Sequence, residues 1–116
     1  MPWTVDARVP VRLGAWADAQ AGDAVLAEAD GPAPDGVPVA RFDAAGEHAA
    51  GCACCVPRTA AALALDRLFQ ARARGEVPFF RRVLAVTATP EGDLAVWSAL
   101  RLDPLTSGRY RPDPDP

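Results

Sequence analysis

A helix set between two strands constrains this chain more than any other feature. From about Pro57 to Arg74 the apolar positions follow a helical period, with Ala61, Leu65, Leu68, Phe69 and Arg72 on one stripe. Pro57 suits the first turn, where its missing N–H costs nothing, and Gly75 suits the stop. The flanks read differently. Val37–Phe42 before the helix and Val83–Thr87 after it are short runs rich in valine and other apolar residues, the pattern of strands. A strand, a helix and a strand in succession call for a crossover that joins parallel strands in one sheet.

Two more strands are expected upstream. Val9-Pro10-Val11-Arg12-Leu13 alternates, and Pro10 is tolerable near a strand start. Asp23–Glu28 is almost continuously apolar after its first residue, which suits a strand buried on both faces. Gly14–Gly22 reads as a turn or short helix, and Gly31–Gly36 as a loop by its glycine and proline content. Pro38 weakens the third strand candidate. After a turn at Thr89–Gly92, a second helix is expected from about Glu91 to Leu102, with Leu94, Trp97 and Leu100 on its apolar face. The expectation is one α/β domain over 1–116, two-layer or three-layer-like, with a mostly parallel sheet of three to four strands. Residues 1–8 and the proline-rich, charged stretch 109–116 are expected to be flexible.

Composition excludes several function classes. The net charge is -3 and all twelve basic residues are arginines, scattered except for Arg81-Arg82. That balance argues against nucleic acid or an anionic membrane as a partner. No apolar run approaches the roughly 20 residues that span a bilayer. Met1 to Asp6 has neither a basic start nor an apolar stretch, so no secretory signal is expected. An odd number of tightly clustered cysteines does not make a disulfide framework, and a reducing cytoplasm fits best. Lys, Asn and Ile are absent, and each absence forbids any motif that requires the residue.

The chemistry is concentrated in His48-Ala49-Ala50-Gly51-Cys52-Ala53-Cys54-Cys55, which holds all three cysteines and the one histidine. Thiolates and imidazole suit Zn²⁺, Co²⁺ or Cu⁺ better than Mg²⁺ or Ca²⁺. A helix N-terminus just after Cys55 favours thiolate, hence metal ligation or reactivity. Cys52 with Cys54 or Cys55 is the expected thiolate pair, because adjacent side chains diverge, and His48 is the expected third ligand. Glu28, Asp30, Asp43 and Glu47 are candidate carboxylate ligands, Glu47 being nearest; their other reading is solvated surface charge. Two rival readings of the cysteines stand beside metal binding: a reactive redox thiol, and simple packing as small hydrophobes in a module that pairs with another subunit.

Gly51-Cys52-Ala53-Cys54-Cys55 followed by Arg58 resembles the GCxCC signature of the CobW-type metallochaperone GTPases. The similarity continues through Leu63–Gly75 and Pro78–Leu84, and then through Asp103-Pro104-Leu105 and Arg109-Tyr110-Arg111. Ala24–Glu28 is faintly similar to that family's second strand. The resemblance implies a P-loop NTPase-like fold, Zn²⁺ or Co²⁺ held by Cys52, Cys54 and Cys55, and metal delivery coupled to GTP hydrolysis. The chain departs from the family in its nucleotide motifs. A P-loop needs a lysine against the phosphates, and a guanine-reading NKxD motif needs both Asn and Lys. The stretch Gly14–Gly22 stands where the P-loop should be. The family's acidic residue and glycine after the fourth strand fall near Val86 and Thr89, and its next strand is expected to be missing. The combined expectation is a cytoplasmic metal-binding protein that is not a GTPase and binds no nucleotide. It would store, sense or pass on Zn²⁺ or Co²⁺, with a protein client or a second copy of itself as partner.

Overall fold

The computed structural model describes residues 6–44 and 58–113. They form a five-stranded sheet, every strand parallel, flanked by helices. In chain order the elements are β1 (Val9–Leu13), a 3-10 turn (Trp16–Asp18), β2 (Asp23–Ala27), β3 (Val39–Arg41), α1 (Ala60–Ala73), β4 (Arg82–Val86), α2 (Pro90–Leu102), α3 (Pro104–Arg109) and β5 (Tyr110–Pro112). The strand order across the sheet is β3-β2-β4-β1-β5.

Burial explains the central position of β2 and β4. All five residues of β2 are buried, and so are Val83, Leu84, Ala85 and Val86 of β4. A strand apolar on both faces is stable only with cover on both faces, the condition of an inner strand in a parallel sheet. Their register sets Asp23 opposite Arg82 and Val25 opposite Leu84. The first of these pairs is also ionic: Arg82 donates from Nε to Asp23 Oδ1 at 3.0 Å and from Nη2 to Oδ2 at 2.7 Å. The two central strands are thus tied at their amino ends by a bidentate contact.

The helices begin where the local chemistry allows. Thr59 caps α1, its hydroxyl accepting from the Ala62 N–H at 3.1 Å, and Gly75 follows the helix in the left-handed region at φ 71°. Thr89 caps α2, with Pro90 at its start, Glu91 and Asp93 in its first turn and Arg101 in its last. Asp103 caps α3 by accepting from the Leu105 and Thr106 N–H groups at 3.1 Å each.

Four expectations require correction. The α/β fold with a parallel sheet is as expected, but the sheet has five strands rather than three to four. Residues 110–112 are not a frayed tail but the edge strand β5, in register with Val9–Val11. The reason is Tyr110: its ring is fully buried edge-on to Phe69 at 6.0 Å, and its hydroxyl donates to the Leu65 carbonyl at 2.8 Å. A buried phenol with a partner outweighs a polar neighbourhood. The stretch Thr89–Gly92 is already the cap and first turn of α2, not a separate turn. Finally, α2 buries Gly92, Ala95, Val96, Ala99 and Leu100, while Leu94 is 67% exposed. Small residues let that helix lie close to its neighbours, and the bulkier Leu94 falls outside the contact. Trp97 packs half-buried against the same core.

The third strand is shorter than its apolar run, pairing only over Val39–Arg41. Pro38 lacks an N–H for the ladder, although its carbonyl still accepts from Val25 N at 2.8 Å.

Candidate functional site

Because every strand is parallel, the loops that leave the strands gather at one edge of the sheet. In open α/β sheets this carboxyl edge is where ligands bind. Gly14 leaves β1 there, Glu28 leaves β2, Phe42 to Ala44 leave β3, and Thr87 to Thr89 lead from β4 into α2. Gly14 N–H donates to the Ala85 carbonyl and Glu28 N–H to the Val86 carbonyl, at 3.0 and 2.9 Å, so both departures are fixed to β4.

Glu28 organises the middle of this edge. Its Oε1 accepts from the N–H groups of Ala88 and Thr89 at 2.6 and 2.9 Å, and its Oε2 accepts from the Thr89 hydroxyl. The carboxylate therefore faces the positive end of α2 and binds the loop that opens it. Desolvation raises the Glu28 pKa, but the Thr89 hydroxyl and the two amides outweigh it and hold the group below its ordinary value. Gly92 leaves room beside it: a Cβ there would come 1.9 Å from Glu28 Oε1, so the carboxylate would have to shift from its hydrogen bonds. The remaining carboxylate candidates are disposed differently. Asp30 is exposed and pairs with Arg41 at 2.8 Å, and Asp43 is exposed.

The loop after β1 carries its own anion. Asp18 Oδ2 accepts from Ala15 N–H at 2.9 Å and lies 3.1 Å from where a Gly14 Cβ would be. Trp16 folds against Gly31 so closely that a Cβ on that glycine would meet the indole nitrogen at 2.0 Å.

A second charged group stands where α1 begins. Arg58 donates from Nε to Asp103 Oδ2 at 2.8 Å and from Nη2 to Oδ1 at 3.2 Å, and its Nη1 reaches Asp66. Asp66 also faces Arg109 at 3.6 Å. Asp66 first, then Asp103, holds the Arg58 guanidinium well above its usual pKa, and Arg58 in turn holds the Asp103 carboxyl below the usual carboxylate range. Two carboxylates, one on α1 and one at the junction of α2 and α3, on one planar cation make a specific anchor. Beside it lies a largely apolar cavity of about 520 Å³, lined by Arg58, Thr59, Ser98, Leu102, Pro104 and Leu105.

His48, Cys52, Cys54 and Cys55, with Glu47, lie outside the described residues. So does Pro57, and the described part of the helix starts at its Thr59 cap. What the structure describes is the two ends of that segment: Ala44, buried at the carboxyl edge beyond β3, and Arg58, anchored at the head of α1. Among the described residues no group of three or more His, Cys, Asp or Glu is placed to hold a metal ion. The bracing roles of Glu28 and Arg58 are not visible in the sequence. A partial signal exists in Asp103-Pro104, the pairing of a capping carboxylate with a proline at the first helical position.

No protein-family model matches this chain, and neither the curated proteins nor the solved structures offer a match.

Proposed function

We propose that this protein is a CobW-like metal-binding domain that takes up Zn²⁺ or Co²⁺ through Cys52, Cys54, Cys55 and His48, without hydrolysing GTP. One observation carries this reading. The segment holding every cysteine and the one histidine lies in the chain between Ala44, just beyond β3 at the carboxyl edge, and Arg58, which two carboxylates clamp. The ligand-rich segment thus starts from the edge where α/β sheets bind their ligands and ends on a braced helix head. Three thiols and an imidazole form a donor set suited to borderline and soft divalent ions, and the metal is the cargo rather than a resident catalyst.

The nucleotide side of the reading rests on the loop after β1. There is no lysine to meet a phosphate, and the Ala15 amide in that loop is already bonded to Asp18. A carboxylate in that position repels a polyphosphate. Among the described residues no helix is long and apolar enough to cross a membrane. Ligation requires reduced thiols, and a reducing cytoplasm suits that requirement best. A client protein suits the receiving partner better than a second copy paired edge to edge. Both edge strands have three residues, and proline stands next to β3 and within β5.

The test is metal analysis of protein purified without an affinity tag, followed by Co²⁺ titration of the reduced protein. One ion per chain and near-ultraviolet thiolate-to-cobalt bands are expected, and both should be lost in a Cys52→Ser, Cys54→Ser double variant. Binding should weaken as pH falls, because thiols and imidazole must release protons to ligate. Bands that survive the double variant would end the proposal. So would their absence in the wild type, and rapid alkylation of a single thiol would then favour redox chemistry.

A further inference from the structure

We draw no further inference here: the strongest candidate, the largely apolar cavity between the head of α1, the end of α2 and α3, carries nothing because it opens beside Arg58, where residues 45–57 rejoin the described chain, and nothing in the structure shows what covers it.

Discussion

The two faces of the sheet are built on different terms. One face presents Val9, Val11, Ala24, Leu26, Val83, Ala85 and Tyr110 to α1 and α2, and these residues join a single large core with Ala61, Leu65, Leu68, Val96 and Leu100. The other presents Val25, Ala27, Leu84 and Val86, with Val39 of β3, to Val37 and to a cover that includes Trp16 and Ala19. The two central strands are apolar toward both sides, yet among the described residues only one side receives α-helices. Among the described residues one half-buried indole and short segments cover the other. An inner strand requires its surface to be removed from water, and a loop also meets that requirement when a large side chain packs against it. What differs is the depth of packing behind the first layer.

That contrast makes measurable claims. The largest effect is expected from Leu65→Ala, which empties a fully buried site between α1 and the sheet. Chemical denaturation should show a loss of about 2–5 kcal/mol. Trp16→Ala removes the main cover of the thin face, but its ring is only half-buried and the loops around it can settle inward. A smaller loss, about 1–2 kcal/mol, is expected by the same measurement. A Trp16 variant as unstable as the Leu65 variant would abolish the distinction between the faces.

Glu28→Gln tests the brace between the end of β2 and the start of α2. The amide keeps the shape but gives up the charge that accepts three hydrogen bonds, and a loss of about 1 kcal/mol is expected for a carboxylate still partly solvated. Its pH dependence has a defined sign. The folded state holds the Glu28 pKa below its ordinary 4.5, so the stabilisation is complete above that value and disappears as pH falls through the lower folded one. Wild type and variant should therefore differ by a constant amount at neutral pH and converge in acid. A difference that grows in acid would contradict the hydrogen-bonding scheme. The smallest effect belongs to Leu94→Ser, which should leave stability within about 0.5 kcal/mol because the side chain stands outside the helix contact. A loss above about 2 kcal/mol there would mean that α2 is turned differently about its axis.

Most of the sheet was legible because its signals are local. The near-continuous apolar run of β2, the run of β4 and the alternation in β1 each follow from a few neighbouring residues. The stripe of α1, from Ala61 to Phe69, was equally plain. The face of α2 was legible only in part: Trp97 and Leu100 do pack on the core, but Gly92, Ala95 and Ala99 have little apolar surface to set against the exposed Leu94. The edge strand β5 was hidden for another reason: Tyr110 earns its place through Leu65 and Phe69, far away in the chain. The candidate site divides the same way. The ligand types in 48–55 could be read directly, whereas the anchor at Arg58 depends on Asp103, separated from it by 45 positions, and no local pattern foretells such a pair.

The close fit of Gly92 beneath Glu28 limits how this protein can vary. Neither position is free to drift by itself. Gly92→Ala would drive a methyl group into the carboxylate and push apart the loop that the carboxylate holds. Glu28→Asp would shorten the reach to Thr89 and leave amides of the helix opening without their acceptor. The two changes made together relieve each other in part, since the shorter acid vacates the space that the methyl needs. Viable variants should therefore tend to alter both sites or neither, and this pair of positions is a rule for anyone redesigning the carboxyl edge.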